Sequence, residues 1–381
     1  MREIQLTPEG KALQEALRQW DEANPLTEEE ILKQQRFAAQ SKWAQESLNK
    51  YPSKVIDQKI TDSYAAYHGD CVHVLRGLPD NSIHCSIFSP PFPLMYTYSN
   101  SKYDMGNVTS IAEMLEQCRY MMEELFRCMV PGRSVFVHLT QGVAQKLRDG
   151  YIGIKDLRGP AIKMAEECGF NFYGEITIDK NAQVKSIRTR DVGLAFKSLV
   201  SDSAQMHSAL SDFVLHFRKP GENPVPVKAG GASKKYPEAK GWITPEQWIL
   251  WARPVWYGQD YLPGTSNNGA KSGIPCPKGY GIQETDTLST ITAKDVQDEK
   301  HLCALQLPVI ERLVLLHTNP GEIVHDPFGG IGSTGYVALK HRRKAVLSEL
   351  KASYYKQLVK NLDMALAERN ALTLFELDEA A

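Results

Sequence analysis

The stretch Glu322-Ile-Val-His-Asp326-Pro-Phe328-Gly-Gly330-Ile-Gly332-Ser-Thr334-Gly decides the architecture of the chain. It reads as a short strand, an acidic residue, and a glycine-rich turn that opens into a helix over Tyr336–His341. A second apolar strand follows, Lys344-Ala-Val-Leu-Ser-Glu349, and it ends in a carboxylate. Strand, glycine turn, helix, strand and acid make the first half of a nucleoside-binding α/β unit. Glycines let the backbone approach a ligand closely, and the acid at the second strand end can bind ribose hydroxyls. A phosphate-cradling P-loop is the rival reading, and it fails because no Lys follows the glycines where a triphosphate needs one. The full dinucleotide fingerprint is missing too, which favours a smaller nucleoside cofactor.

Well upstream, the apolar run Ile83-His84-Cys85-Ser86-Ile87-Phe88 meets Ser89-Pro90-Pro91-Phe92. Two consecutive prolines can continue neither a sheet ladder nor a helix, so the strand stops there. A hydroxyl, a rigid carbonyl and an aromatic face are left at one strand end, the end at which open α/β sheets bind ligands. The amino group of a planar base can donate to Ser89 and to the Pro90 carbonyl while its ring stacks on Phe92. A tight turn with a buried Phe is the plainer alternative for these four residues alone.

Together the two segments resemble the β-type, circularly permuted DNA amino-methyltransferases that use S-adenosylmethionine. In that family the Ser/Asp/Asn-Pro-Pro-aromatic motif comes first and a Phe-x-Gly-x-Gly motif comes near the C-terminus. Other segments are similar to the family as well: His68-Gly69-Asp70-Cys71 with Leu78-Pro79-Asp80-Asn81-Ser82-Ile83, Leu125 through Pro131-Gly132 to His138, Cys168-Gly169-Phe170 with Glu175–Lys180, and His301 through Thr318 to Asn319-Pro320-Gly321. The resemblance covers roughly 68–219 and 300–365. It implies an α/β fold with a Rossmann-like methyltransferase sheet, helices on both faces and permuted motif order. A helical N-terminal arm and an inserted target-recognition region complete the expected architecture.

Carried residue by residue, the resemblance assigns Ser89, Pro90, Pro91 and Phe92 to the catalytic corner. Asp70, at a strand end, is expected to contact the cofactor's adenine. Phe328, Gly330, Gly332 and Thr334 are expected around its methionine and sugar, Glu349 on its ribose, and Asp326 in support of the strand end. His301 and Cys303 stand where the family often writes His-Pro-Thr-Gln-Lys-Pro before the cofactor strand. Here that segment is His301-Leu-Cys303-Ala-Leu-Gln306, a departure that weakens the case for its contacts to the cofactor carboxylate. The family's Asp-Pro-Pro-Tyr form is mostly adenine-N6 and its Ser-Pro-Pro-Tyr/Phe form mostly cytosine-N4. Ser89 and Phe92 therefore point to cytosine, with adenine as the alternative.

The 381 residues carry 42% apolar and 23% charged residues, which is ordinary for a soluble globular protein of one or two domains. No apolar run is long enough for a membrane span, and Met-Arg-Glu-Ile-Gln-Leu lacks the apolar core of a signal peptide. Seven cysteines without a Cys-x-x-Cys pair argue against a disulfide framework or structural zinc, so no metal is expected and a reducing cytoplasm is the natural compartment. A net charge of −1 does not announce nucleic-acid binding, so contact with double-stranded DNA has to come from a local basic face.

Residues 1–60 read as a helical arm. Thr7-Pro8-Glu9 and Thr27-Glu-Glu-Glu30 open helices on either side of Asn24-Pro25, and Leu13, Leu17 and Trp20 share an apolar face. Packing on the catalytic domain is the plain expectation; a homodimer contact or a DNA clamp are the alternatives. The catalytic half is expected over 61–219, with its sheet beginning near Tyr64. After the corner, a polar loop bearing Tyr96, Tyr98 and Tyr103 either packs locally or fills the gap left by a flipped base. Ile111, Met114, Leu115, Cys118, Met121, Met122 and Leu125 have the spacing of a core-facing helix, ended by Pro131-Gly132.

Lys185, Arg188 and Arg190 form a basic loop, either solvated or set against phosphates. From Pro220 the composition turns to Pro, Gly and Trp, and 220–299 is the candidate target-recognition region, with Lys234, Lys235, Arg253 and Lys271 as candidate DNA contacts. Within it, Trp248 and Trp251 read as a small core, and Gly264–Gly273 carries groups able to read base edges. Pro275-Cys276 matches the nucleophile dipeptide of cytosine-C5 enzymes, but their Glu-Asn-Val segment is absent and Cys276 reads as incidental. The cofactor half is expected over 300–365 and a tail over 366–381. A methyltransferase of RNA or a small molecule, and a catalytically silent DNA-binding module, remain as readings from other classes. Nothing in the sequence identifies a cognate restriction endonuclease.

Overall fold

The computed structural model describes residues 55–91, 105, 108, 110–144, 146–180, 200–208, 210–230, 242–257, 281–282, 285–289 and 305–378. All belong to one compact unit, Lys54–Ala381. In chain order its elements are β1 (Asp57–Ile60), β2 (Tyr64–His68), α1 (Cys71–Gly77), β3 (Ile83–Phe88), α2 (Ile111–Cys128), β4 (Met129–Thr140), β5 (Gly142–Ala144), α3 (Lys146–Asp149), β6 (Gly153–Lys155), α4 (Arg158–Glu167), β7 (Asn171–Ile178), β8 (Asp212–Arg218), α5 (Pro245–Trp251), β9 (Val255–Trp256), α6 (Leu307–His317), β10 (Ile323–Asp326), α7 (Ser333–Lys340), β11 (Lys344–Glu349) and α8 (Ala352–Asp378).

Nine strands form one sheet in the order β1-β2-β11-β10-β3-β4-β8-β7-β9, while β5 and β6 pair separately. The five central strands, β2 through β4 in that order, run parallel. β8 runs antiparallel to both β4 and β7. Strand alternation supplies a core on each face. Phe136 of β4 joins one cluster with Val309, Leu313, Val337 and Leu358, from α6, α7 and α8. Its neighbours Val135, Val137 and Leu139 join the other, with Leu75, Met121, Leu125 and Met164 from α1, α2 and α4. The sheet is thus covered on both faces, as a parallel sheet requires. A largely parallel central sheet with helices on both faces is the α/β architecture expected from the sequence.

The connections fix where a ligand can enter. From β10 the chain passes through α7 to β11 on one side, and from β3 through α2 to β4 on the other. The strand order therefore reverses between β10 and β3, and a crevice opens there at the carboxyl ends. Both motifs end at this crevice.

Several expectations need correcting. Asp57–Ile60 is an antiparallel edge strand and not part of a helical arm, so the sheet begins before Tyr64. The helix after the glycine turn starts at Ser333 and ends at Lys340, because Gly332 itself is its N-cap. Pro131-Gly132 does not end α2, which stops at Cys128; both residues lie inside β4. The β3–β4 register is irregular between Ile83 and Cys85, and an irregularity is where a strand tolerates a residue with no N–H to give.

The expected 365/366 boundary falls inside α8, where Glu368 accepts from the Tyr336 hydroxyl at 2.6 Å. Part of the candidate recognition region also belongs to the main sheet. β9 pairs with β7, and Trp256 is buried among the residues of α6. Trp251 packs with Ile243 and Leu315, but Trp248 is 56% exposed and not part of that core. Residues 1–54 of the expected 1–60 arm, the tyrosine loop and the Gly264–Gly273 loop lie outside the described residues.

Candidate active site

β3 delivers Ser89 and Pro90 to the crevice. Its last residue, Phe88, is buried, and the next, Ser89, is only partly so. Pro90 is buried and lines an apolar cavity together with Phe88, Met114, Met121, Val137, Leu139 and Phe217. The Ser89 hydroxyl lies 3.0 Å from Nδ1 of His138 and 3.3 Å from its carbonyl oxygen, both at the carboxyl end of β4. Pro91 is described and partly buried; Phe92 lies outside the described residues.

β10 delivers the glycine turn. Asp326, its last residue, accepts from the Phe328 amide at 3.0 Å and also hydrogen-bonds Thr334. Burial pushes its carboxyl up to about 7, against the pull of those two bonds. Gly332 N donates to Gly329 O at 2.7 Å, closing the turn, and both Gly330 and Gly332 sit at positive φ, 55° and 91°. Those are left-handed values that side chains with a Cβ rarely adopt. Gly329 and Gly332 press on Leu358 of α8, whereas a Cβ at Gly330 would meet nothing nearer than Phe328 O at 3.9 Å. The turn is closed toward the protein and open at Gly330.

The two motifs touch. Phe328 packs on Phe88 with ring centroids 5.8 Å apart, and the Thr334 hydroxyl reaches Ile87 O at 3.3 Å. Thr334 is therefore engaged with β3 and is 4% exposed, so its hydroxyl secures the turn to the neighbouring strand. Glu349, at the end of β11, accepts from Gly330 N at 2.8 Å and from Lys351 N at 2.7 Å. Asp70 caps α1 by accepting from His73 N at 3.1 Å, and burial raises its pKa. Gly69 N donates to Glu349 O at 3.0 Å, which ties the ends of β2 and β11 together.

Three acids, Asp70, Asp326 and Glu349, thus stand at the carboxyl ends of adjacent strands around an open glycine. Hydroxyl-accepting carboxylates and a backbone that permits close approach fit a nucleoside carrying a cationic sulfonium and ammonium. Among the residues expected in the site, His301 and Cys303 lie outside the described residues. The same holds for Lys185, Arg188, Arg190, Lys234, Lys235 and Lys271, whereas Arg253 is exposed just after α5. The sequence reading missed His138, Asp212 and Lys180, which stack up behind Ser89. Their one sequence signal is polarity at the ends of apolar strands.

A family model described as DNA methylase matches residues 83–360. The type II methyltransferase M.Cfr9I of Citrobacter freundii is 22% identical over 76% of this chain and 84% of its own length. The DNA adenine methyltransferase YhdJ of Escherichia coli strain K12 is 37% identical over a local match of 18% of this chain, and the match spans 23% of YhdJ. Of the solved structures, TTHA0409 of Thermus thermophilus, described as a DNA modification methylase complexed with S-adenosylmethionine, superposes with a TM-score of 0.53 at 19% identity. That superposition covers 78% of this chain and 93% of the other. Since the family match runs through both motif-bearing halves of the sheet, the chain belongs to the N6/N4 DNA methylase family, S-adenosylmethionine-dependent methyltransferases of DNA amino groups.

Proposed function

We propose that this protein methylates N4 of cytosine in double-stranded DNA, with the base turned out of the helix into the crevice between β3 and β10. The observation that carries this reading is the contact of Ile87 and Phe88, the residues of β3 just before Ser89, with the glycine turn, which supports an amine acceptor and a nucleoside cradle meeting at one switch point. The choice of cytosine follows from the Ser-Pro-Pro-Phe form of the corner at 89–92. Adenine N6 is the alternative, and the local similarity to an adenine enzyme is what favours it.

The amine of a base is a poor nucleophile because its lone pair is delocalised into the ring. Ser89 Oγ and the Pro90 carbonyl accept its two hydrogens, which favours a pyramidal nitrogen and aims its lone pair. S-adenosylmethionine, when bound, supplies an electrophilic methyl carbon on a sulfonium. Glu349 and Asp70 hold the nucleoside, and the backbone at Gly330 allows it close. Positioning and water exclusion then supply much of the rate, without a covalent enzyme intermediate. Extruding the base costs a few kcal/mol.

Among the described residues no helix is long and apolar enough to cross a membrane. The free, buried thiols of Cys71, Cys85, Cys118, Cys128 and Cys168 are in keeping with a reducing cytoplasm as the compartment. The test is direct. Plasmid DNA is incubated with the protein and S-adenosylmethionine, digested to nucleosides and weighed by mass spectrometry. N4-methyldeoxycytidine supports the proposal, N6-methyldeoxyadenosine replaces it with the alternative, and unmodified DNA beside methylated RNA rejects it.

A further inference from the structure

A serine that accepts from an amine faces a difficulty that a carbonyl does not, because its oxygen also carries a hydrogen. If that hydrogen points outward, it collides with the amine's own. Here it has two inward acceptors, Nδ1 of His138 at 3.0 Å and His138 O at 3.3 Å. Behind the ring, Nε2 is buried with no hydrogen bond, yet Asp212 Oδ2 is only 3.3 Å away. Lys180 Nζ stands 3.2 Å from the same Asp212 oxygen. All three side chains are buried, with His138 at 7%, Lys180 at 8% and Asp212 at 6% exposure.

Sheet register assembles this row. Asp212 sits opposite Thr140 of β4 and Ile178 of β7, two residues beyond His138 and two short of Lys180. Burying a lysine and a carboxylate costs several kcal/mol per ion unless they are paired and hydrogen-bonded. The order of contacts is the reverse of a hydrolytic triad, in which Ser meets Nε2 and the acid meets Nδ1. It suits holding a hydroxyl in place more than stripping its proton.

We propose that His138, backed by Asp212 and Lys180, is a positioning residue that keeps the Ser89 hydroxyl hydrogen turned into the fold, so that the oxygen meets the base as an acceptor. This rests on the amine-methylating reading of the site. A neutral imidazole with its hydrogen on Nε2, facing Asp212, leaves Nδ1 to accept from Ser89. The other tautomer places a donor at Nδ1, which occupies a Ser89 lone pair and weakens the oxygen as an acceptor. Among the described residues, the charged groups against His138 are Asp212 directly and Lys180 through it.

The 381-residue chain, plasmid DNA and tritiated S-adenosylmethionine serve for the test. His138→Ala should lower kcat by about 100-fold, the scale of a misplaced catalytic contact, with KM for DNA and cofactor nearly unchanged. His138→Asn, whose side-chain amide oxygen can accept from Ser89 in place of Nδ1, should recover most of that loss. In the free parent protein at alkaline pH, nitrogen NMR should place the imidazole hydrogen on Nε2, the signal being identified by its loss in His138→Asn. Unchanged kcat in His138→Ala, no recovery in His138→Asn, or a hydrogen on Nδ1 each overturns the proposal. If the parent itself methylates no amine, the underlying reading falls as well; if the parent is active and the variants match it, only this inference does.

Discussion

The Gly330 amide donates to Oε2 of Glu349 at 2.8 Å, so the acid at the end of β11 grips the glycine turn of β10. Its other oxygen accepts from Lys351 N, at the start of the step into α8. The carboxylate proposed to bind a ribose is thus preorganised by two amides of its own chain. Glu349→Gln keeps an acceptor but loses the charge, and Glu349→Ala loses the tether as well. Cofactor affinity should fall in the order parent, Gln, Ala, by about 10-fold to 100-fold for Ala, the scale of hydrogen bonds to a charged group. Calorimetry with S-adenosylmethionine measures it, and equal affinities in all three proteins contradict the role.

Ser89→Ala removes the hydroxyl acceptor but leaves Pro90 in its place lining the apolar cavity. Methyl transfer should drop by roughly 100-fold or more, as when one oriented hydrogen-bonding group is lost from an active site. Binding of S-adenosylmethionine should stay within about twofold, because Ser89 contacts β4 and not the glycine turn. Undiminished incorporation of tritiated methyl would remove Ser89 from the mechanism.

Much of this frame was legible in the sequence because single segments carry it. β3 covers the apolar run that two prolines stop, and β11 covers Lys344–Glu349, ending on its acid. Other features depend on partners far along the chain. The edge strand β1, Asp-Gln-Lys-Ile, has no apolar pattern and is specified by backbone pairing with β2. The extent of α8 depends on Tyr336 and Lys340 of α7 meeting Glu368. The His138, Asp212 and Lys180 row needs the antiparallel register of β4, β8 and β7, which no local motif encodes.

Asp326 provides a pH signature. Its folded carboxyl is raised from the ordinary 3.8 to about 7 by burial. Across that window the folded protein holds a proton that the unfolded chain has released, so stability falls as pH rises and the penalty is complete above it. Asp326→Asn keeps the acceptor for Phe328 N without the charge. Its stability relative to the parent should therefore improve from pH 4 to pH 8, by a few kcal/mol at the outside. Urea unfolding at both pH values measures this; a difference independent of pH shows that the charge is not what burial penalises.

Arg133 and Glu322 form a buried ion pair, at 2% and 9% side-chain exposure, joining β4 to the entry of β10. Glu322 also accepts from Asn319 N at 2.7 Å and Asn319 Nδ2 at 3.0 Å, and Arg133 donates to His84 O at 3.2 Å. Removing one member leaves the other buried and uncompensated. Glu322→Ala should cost about 3–5 kcal/mol, and Arg133→Met with Glu322→Leu should recover part of that loss. A double variant no more stable than Glu322→Ala alone shows that the remaining cost lies in the Asn319 and His84 bonds.

Gly332 tests whether the shape of the turn matters apart from its chemistry. Its φ is 91°, and a Cβ there would lie 3.2 Å from Leu358 Cγ and 3.4 Å from Leu358 Cα. Gly332→Ala therefore combines a left-handed backbone with a tight contact against α8, and should cost about 1–3 kcal/mol. Because Gly332 is the N-cap of α7, the start of that helix and the Gly330 amide beside it should shift, weakening S-adenosylmethionine binding as well. Gly77 is the control. It ends α1, a Cβ there meets nothing within 4 Å, and its φ is not in the left-handed region. Gly77→Ala should be neutral or stabilising by about 0.4–1 kcal/mol and leave cofactor binding unchanged. If the two substitutions behave alike in urea unfolding and in calorimetry, the left-handed turn at Gly332 is not what shapes the cofactor cradle.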